Sequence, residues 1–313
     1  MITIPNSDQL YQAVARKKPL HTNLSQIDHN KLFIPEHLTQ LYHTSAYSML
    51  NDKQRLRYNQ LFSMRAIEQL MTLEQEFIAS VLKRTEKSSR LKLNRKLITC
   101  MHEMALEEEQ HYQMFYSVNR LADPDIYLNK EMFFARFTRL ERFALNTLLL
   151  TPGINLFLLW ILLILEEFST FISTQMIRAH KQFPDKLDSN FVNVHREHLK
   201  DETRHVAICA NLITTITEDS HPLIIKLNTF LLKKFMRDYM TPKRGGIRVI
   251  ERLALEFPEL ADKKPELIEH VKNQKQDKVI LEAIQDPKSM PYSHELFKQH
   301  PEFYFLNPST PTT

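Results

Sequence analysis

The residues of this chain with the clearest capacity for chemistry lie at positions 195–205, in the sequence HREHLKDETRH. His198, Glu202 and His205 are spaced by four and then three residues. In an α-helix these spacings return to one face, so two imidazoles and a carboxylate would project together. The stripe is typical either of a metal site or of a charged surface, and a second occurrence of the motif would favour metal binding.

A second motif of this kind occurs earlier in the chain, as EEEQH at residues 107–111. Glu108 and His111 have the same Glu-x-x-His spacing as Glu202 and His205. Four-helix bundles with dinuclear centres use this spacing on two helices to point a carboxylate and an imidazole into the core. The repetition therefore predicts metal binding inside a helical bundle.

Such a centre needs one further carboxylate from each of two other helices. In LMTLEQEFIASVL, Glu74 shares a face with apolar residues, whereas Glu76 falls on a more polar stripe. In LLILEEFSTFISTQM, Glu167 lies on the more apolar stripe, whereas Glu166 falls with two serines. We expect Glu74 and Glu167 to be ligands and keep Glu76 and Glu166 as the alternatives.

The two carboxylates stand at nearly equal distances from the two motifs. Glu74 is followed by 32 residues and EEEQH, and Glu167 by 33 residues and DETRH, which indicates an approximate duplication of a helix pair. A carboxylate buried in an apolar helix is strongly destabilising unless it is paired or binds a metal. Four converging carboxylates therefore predict cations between them.

Ligands that are mostly carboxylates, with imidazoles and without thiolates, favour two iron ions, with manganese as the alternative, over a structural zinc site. Glu107 and Asp201 are placed to orient a ligand histidine of the opposite helix, and Arg204 is placed to neutralise them. An exposed position for Arg204 is equally consistent with the pattern. His195 could replace His198 as a ligand, but it is expected, like Arg196 and Glu197, on the solvated part of the helix.

Long helices are required to position these residues, and the rest of the sequence predicts them. Only three glycines occur among 313 residues, which argues against glycine-rich phosphate loops and tight hairpins. Apolar periodicity predicts a single bundle domain with a core at about 52–217. The predicted long helices span 52–84, 90–121, 154–182 and 188–217, with a connecting helix at 129–149. An N-terminal wrap at 1–50, C-terminal helices at 222–285 and an irregular tail to 313 complete the chain.

The composition also excludes several classes of function. A net charge of +4 gives no reason to expect a nucleic-acid partner. Cys100 and Cys209 are expected to be buried thiols in a reducing compartment, and the N-terminus has no signal-peptide pattern, so we expect a cytoplasmic protein. The apolar run at 143–165 is split by Pro152 and Gly153, which favours a core helix over membrane insertion.

The arrangement E-x(28–37)-DExRH, present twice in degenerate form, resembles the ferritin-like diiron oxygenases over residues 55–215. The second copy fits this pattern fully, whereas the first has EEEQH in place of DExRH. The additional His198 resembles the p-aminobenzoate N-oxygenase (AurF-like) family, which uses a third histidine. The resemblance implies an all-α, ferritin-like four-helix bundle core with additional flanking helices. It implies that two iron ions are held by Glu74, Glu108, His111, Glu167, His198, Glu202 and His205.

The resemblance further implies O2-dependent N-oxygenation of a small amine through a peroxo-diiron intermediate. An external electron donor, either a reductase or a ferredoxin, would supply the electrons. The sequence is also compatible with a homodimer. A substrate pocket is expected one turn from the ligands. Its candidate lining residues are Phe77, Phe115, Thr170 and Phe171, although core packing explains each of them better. A diiron hydroxylase or desaturase for aliphatic or carrier-bound acyl substrates remains the main alternative. It shares most of the ligand set, and only His198 as a seventh ligand distinguishes the N-oxygenase from it. A radical-forming subunit and an iron-storage protein fit less well.

Overall fold

A computed structural model describes residues 2–89, 93–135, 137–239, 244–274 and 277–306. These residues are mainly helical, which confirms the predicted all-α class. The helices are α1 (Ser7–Ala15), α2 (Asp52–Thr72), α3 (Ala79–Ser89), α4 (Arg95–Ala122), α5 (Arg139–Leu150), α6 (Asn155–Gln182), α7 (Ser189–Glu218), α8 (Pro222–Tyr239), α9 (Arg244–Glu256), α10 (Lys264–Asn273), α11 (Lys278–Gln285) and α12 (Pro291–Gln299). Short 3₁₀ turns at Glu36–Leu38, Leu41–His43 and Ser45–Met49 make up part of the N-terminal wrap.

Four long helical rods form the bundle. The first rod consists of α2 and α3 joined by a π-helical segment, Leu73–Ile78. The other three rods are α4, α6 and α7, with α6 packed along α7 and α4 in contact with both α2 and α7. Asn51 caps α2, Asn94 caps α4 and Asp188 caps α7, each accepting hydrogen bonds from backbone N–H groups of the first turn.

The apolar core is divided into two clusters, and the division fixes the place of the polar residues. In α4 one cluster ends at Met104 and the other begins at Tyr112; in α7 one ends at Val194 and the other begins at Val206. Both Glu-x-x-His motifs fall in these gaps. The motifs therefore form a polar layer with apolar packing above and below it.

The connecting helix predicted at 129–149 is wrong in its first part, because α5 begins only at Arg139. The preceding segment is instead held by the buried carboxylate of Glu68. Its oxygens accept hydrogen bonds from the backbone N–H groups of Phe133, Phe134 and Ala135, at 2.6–2.8 Å. These bonds satisfy backbone donors that a helix would otherwise satisfy internally.

The C-terminal region differs from the prediction in two ways. The helical segment expected at 264–285 is divided between α10 and α11, and α12 follows where an irregular tail was expected. Phe297 of α12 stacks on Trp160 of α6, with ring centroids 5.0 Å apart. The tail from residue 307 and the linker residues 240–243 lie outside the described residues.

Among the described helices, α6 alone is long and apolar enough to cross a membrane. Its most apolar window is 72% buried inside the protein, against α7, α8 and α12. This burial is the arrangement expected of a core helix, and it accounts for the apolar run seen in the sequence.

Candidate metal centre

Two groups of donor atoms meet in the polar layer of the bundle, and within each group the atoms lie within 4.8 Å of one another. The first group comes from Glu108, His111, Glu202 and His205, and the second from Glu74, His111 and His198. All these side chains are buried. Because His111 belongs to both groups, the two groups adjoin, an arrangement compatible with a dinuclear centre.

The histidines of the two motifs are oriented by acids of the opposite helix. Nδ1 of His205 lies 2.8 Å from Oε1 of Glu108, and its Nε2 lies 2.8 Å from Oε2 of Glu107. In the same way, Nδ1 of His111 lies 3.6 Å from Oε2 of Glu108, and its Nε2 lies 3.4 Å from Oδ2 of Asp201. Each ring therefore turns Nδ1 toward the centre and Nε2 toward a carboxylate that fixes its orientation.

Arg204 joins the two orienting acids. Its Nη2 lies 2.8 Å from both Oε2 of Glu107 and Oδ1 of Asp201, and its side chain is only 10% exposed. Lys17, just beyond the end of α1, places its Nζ 3.1 Å from Oε1 of Glu107. The exposed position that the sequence allowed for Arg204 is not the one observed, because these ion pairs hold it against the bundle.

His198 reaches the second donor group from α7. Its Nε2 lies 3.1 Å from Oε1 of Glu202 and 3.4 Å from Oε1 of Glu74, and its Nδ1 lies 3.4 Å from Oγ of Ser173. The ring of Phe115 packs edge-on against it, with centroids 5.0 Å apart. His198 is thus directed into the centre by polar contacts on one side and an aromatic wall on the other.

The structure separates the two alternatives on the first rod. Glu74 lies in the π-helical segment and faces His198, whereas Glu76 forms hydrogen bonds with Arg142 at 2.6 and 3.0 Å, away from the centre. A π-helical turn widens a helix locally, and such turns are frequent at functional sites. The preference for Glu74 agrees with this geometry.

The preference on α6 requires a correction, because Glu167 does not face the donor groups. Its two oxygens accept hydrogen bonds from the backbone N–H groups of Tyr292, at 2.7 Å, and Ser293, at 3.0 Å. Glu166 is the carboxylate that α6 presents to Glu202, with which it forms a side-chain hydrogen bond. On the apolar stripe that favoured it, Glu167 is covered by α12, a helix that the sequence did not predict.

The two serines that share a helical stripe with Glu166 mark the face of α6 that is directed at the centre, although in the sequence they favoured Glu167. Ser169 donates a hydrogen bond to Oε2 of Glu202 at 3.0 Å, and Oγ of Ser173 lies 3.0 Å from Nδ1 of His195. Glu166, Ser169 and Ser173 are spaced by three and four residues, so they form one polar stripe on an otherwise apolar helix. That stripe faces α7 and the centre.

Two residues expected on the solvated part of α7 are in fact buried. His195 packs behind His198, and burial together with the neighbouring imidazole lowers the pKa of His195 to about 3. Glu197 accepts a hydrogen bond from the backbone N–H of His21 at 3.1 Å and pairs with Lys200. The N-terminal wrap covers this side of α7 and removes it from solvent, whereas Arg196 is exposed.

Burial and neighbouring charges shift the pKa values of several residues in the centre. Burial, followed by the nearby charges of Glu202 and Glu108, raises the pKa of Glu166 well above its usual range, and burial raises the pKa of Glu74 to about 7. Burial alone would lower the pKa of His111, but the surrounding carboxylates raise it to about 10. Protons are therefore favoured on Glu74, Glu166 and His111. The neighbouring histidines, by contrast, outweigh burial and lower the pKa values of Glu108 and Glu202.

The residues present fit metal ions, because several inward-facing donor atoms lie close together without a hydrogen bond of good geometry, including Nδ1 of His205 and Oε1 of Glu108 at 2.8 Å. These buried atoms are both oxygens of Glu74 and of Glu108, one oxygen each of Glu166 and Glu202, and Nδ1 of His111 and of His205. Leaving such groups buried and unpaired is costly, whereas binding to a cation satisfies carboxylate oxygens and neutral imidazole nitrogens together. The unpaired atoms belong to the same residues whose donor atoms converge.

The four residues expected around a substrate have different positions. Thr170 and Phe171 line a cavity of about 530 Å³ on the outer side of α6. Phe115 packs against His198, and Phe77 is buried in the apolar core, so neither is among the residues lining that cavity. The cavity therefore adjoins α6 one turn beyond Glu166.

The family model of the p-aminobenzoate N-oxygenase AurF matches residues 19–244, which include every residue of the two donor groups. No curated protein matches the chain significantly. The matched region covers well over half of the 313 residues and contains the entire polar layer of the bundle. The chain therefore belongs to the AurF family of p-aminobenzoate N-oxygenases and is an oxygenase.

Proposed function

We propose that this protein is a non-haem diiron oxygenase that uses O2 to oxidise the nitrogen of a small amine. The observation that carries the proposal is the set of buried carboxylate and imidazole atoms that converge within the family region without well-aligned hydrogen bonds. The proposed iron ligands are Glu74, Glu108, His111, Glu166, His198, Glu202 and His205. Glu166 replaces Glu167 in this set because of the direction in which each carboxylate points.

Iron is favoured by the chemistry of the donors. Four carboxylates and three imidazoles form a hard, oxygen-rich environment that suits iron or manganese rather than a structural zinc ion. Cys209 lies near the centre, but burial and the neighbouring carboxylates raise the pKa of its thiol well above the usual range, so the thiol stays protonated. We propose iron as the resident metal because the family consists of diiron enzymes.

A pair of iron ions, when bound, supplies the reduction of O2 with electrons from an external donor. The protein's own residues prepare the site for that chemistry. Glu107 accepts the Nε2 proton of His205, and Asp201 lies where it can accept that of His111, which leaves the Nδ1 lone pair of each ring directed at the centre. The apolar clusters above and below exclude water and keep the donors fixed.

Support for an amine as substrate comes from the family, and support for access comes from the cavity beside α6. Thr170, which lines the cavity, lies one helical turn after Glu166, so the cavity adjoins the stretch of α6 that carries the proposed ligand. Its Oγ1 is buried without a hydrogen-bond partner and is available to a bound polar group.

The test is to supply iron-loaded protein with a reductant, ¹⁸O2 and a panel of aryl amines, amino acids and acyl carriers, and to analyse the products by mass spectrometry. Incorporation of one or two labelled oxygens on nitrogen is the expected result. The Glu108→Ala variant should give no product, whereas Glu109→Ala, at an exposed neighbouring position, should behave as the wild type. Dehydrogenation or C-hydroxylation of an acyl carrier, without N-oxidation, would replace the proposal with the hydroxylase or desaturase function.

A further inference from the structure

The cavity beside α6 is built partly from sequence that the family model does not cover. The model ends at residue 244, yet six of the fourteen lining residues come from positions 279–291. Thr170, Phe171 and Arg178 of α6 form part of one wall, and the segment from α11 to the start of α12 forms the opposite one. The shape of this cavity therefore depends on a part of the chain outside the region shared with the family.

Glu167 fixes that opposite wall in place. It is 1% exposed, and it accepts hydrogen bonds from the backbone N–H groups of Tyr292 and Ser293. These groups belong to the first turn of α12, where backbone donors have no partner within the helix. They directly follow Pro291, which lines the cavity. Successive residues of α6 thus hold the centre, through Glu166, and the cavity wall, through Glu167.

The wall has further fixed contacts of its own. The carboxylate of Asp286 accepts hydrogen bonds from the backbone N–H of Lys288, at 3.0 Å, and from Oγ of Ser289, at 2.7 Å. On the far side of the Glu167 contact, Phe297 stacks on Trp160 with an interplanar angle of 4°. The segment is therefore ordered by specific interactions and presents defined side chains to the cavity.

The wall brings charges of both signs to the cavity. Lys288 and Glu282 are exposed lining residues, and Arg178 faces the same cavity from α6. The carboxylate of Asp286 is occupied by its own turn. Lys288 and Glu282 are thus the exposed charges that the wall presents to an entering molecule, with Oε1 of Glu282 also 3.7 Å from Nζ of Lys278.

We infer that the segment from residue 278 to residue 291, held by Glu167, is a specificity-determining wall that selects which amines reach the centre. The inference rests on the proposed function and adds to it the part of the chain that discriminates between substrates. Selection by charge is expected to act at Lys288 and Glu282, and selection by size is expected to depend on the Glu167 contact.

The first test exchanges charge at the wall. In Lys288→Glu, the ratio of kcat/KM for aryl amines with and without a carboxylate should fall about fivefold or more, and Glu282→Lys should shift it in the opposite direction. Lys298→Glu is the matched control, because Lys298 lies on α12 and is 64% exposed without lining the cavity. An unchanged ratio in both wall variants would overturn the inference.

The second test examines the anchor without requiring turnover. Trp160 is the single tryptophan of the chain and is fully buried against α12, so acrylamide quenching of its fluorescence reports whether α12 is docked. Glu167→Ala should increase quenching and raise KM more than it lowers kcat, while the iron content is retained. Glu167→Gln, which keeps an acceptor oxygen, should restore much of both. Unchanged quenching and KM in Glu167→Ala would remove Glu167 from this role.

The two proposals can fail separately. If no amine is oxidised, the proposed function fails, and the wall is tested by calorimetric binding of the same amines to iron-loaded protein without O2. A difference in binding preference between wild type and Lys288→Glu would support the wall. Equal preferences, or no binding of any amine, would count against it.

Discussion

Nε2 of His205, on α7, lies 2.8 Å from Oε2 of Glu107, on α4. The reciprocal pair, His111 of α4 and Asp201 of α7, repeats the arrangement at 3.4 Å. Burial alone would raise the pKa of Glu107, but His205 and Arg204 lower it to about 2, so the acid remains ionised. The two motifs therefore orient each other, and neither helix can form the centre without its partner.

Arg204→Ala should weaken metal binding about 10- to 100-fold, because the acids that orient both histidines would lose the cation between them. Anaerobic titration with Fe²⁺ measures this change, and Arg204→Lys should recover part of it. Arg196→Ala is the control, since Arg196 is exposed on the same helix. Equal affinities in Arg204→Ala and Arg196→Ala would show that the bridge has no influence on the centre.

His205→Ala and Glu108→Ala should each abolish stoichiometric iron binding, because each removes a donor from the first group. The expected value for the wild type is two irons per chain, as the proposed ligand set implies. Metal analysis of the purified proteins gives the answer, with Glu109→Ala as the exposed neighbour. Full iron in both variants would contradict the assignment of the centre.

Glu166→Gln should lower the iron content, whereas Glu167→Gln should retain it. The two substitutions remove the same charge from adjacent positions, but only Glu166 faces Glu202, while Glu167 faces α12. The pair therefore controls for any general effect of altering this turn of α6. Loss of iron in Glu167→Gln alone would restore the assignment that the sequence favoured.

Metal binding should release protons and strengthen as pH rises. In the metal-free protein the carboxylates raise the pKa of His111 to about 10, so this ring is protonated at neutral pH, and a metal must displace the proton. A raised folded-state pKa stabilises the metal-free fold most below the ordinary histidine pKa of about 6.5, and that stabilisation is lost as pH rises toward about 10. The increase in Tm on adding Mn²⁺ should therefore grow over that interval. Calorimetry in buffers of different ionisation enthalpy counts the protons, and binding independent of pH would contradict the expectation.

Glu68→Ala should destabilise the protein by several kcal/mol, because three buried or part-buried N–H groups and the buried hydroxyl of Tyr127 would lose their acceptor, at about 1–3 kcal/mol each. Glu68→Gln retains one acceptor oxygen and should lose less. Denaturant unfolding monitored by circular dichroism gives the free energies. Unfolding of Glu68→Ala within about 0.5 kcal/mol of the wild type would contradict the role assigned to this carboxylate.

The bundle helices were predictable because their signals are local. Apolar periodicity and capping residues place α4 at Arg95–Ala122 and α7 at Ser189–Glu218, close to the predicted 90–121 and 188–217. The segment before α5 was not predictable, because its conformation depends on a carboxylate more than sixty residues earlier in the chain. A contact between residues so far apart in the chain produces no apolar periodicity within the segment that it fixes.

The centre was predictable where two motifs agree and unpredictable where the choice depended on a distant helix. The Glu-x-x-His repeat identified four donors from spacing alone, and His198 followed from the same helical stripe. The choice between Glu166 and Glu167 depended on α12, which covers one face of α6 and leaves the other for the centre. On a helix buried on all sides, the polar stripe was the better guide to the site than the apolar one.

The π-helical segment Leu73–Ile78 has a consequence for the register of the first rod. A π-turn accommodates one residue more than the α-helix around it, and one residue corresponds to about 100° of rotation. If Leu73–Ile78 were wound as α-helix with the sequence unchanged, α3 would be rotated by about 100° relative to α2. Every ligand would remain in the chain, yet Glu74 and the apolar side chains of α3 could no longer face the bundle together. The extra residue of the π-turn therefore sets the rotation of α3 relative to Glu74, so that the metal ligand and the apolar side chains of α3 both face the bundle.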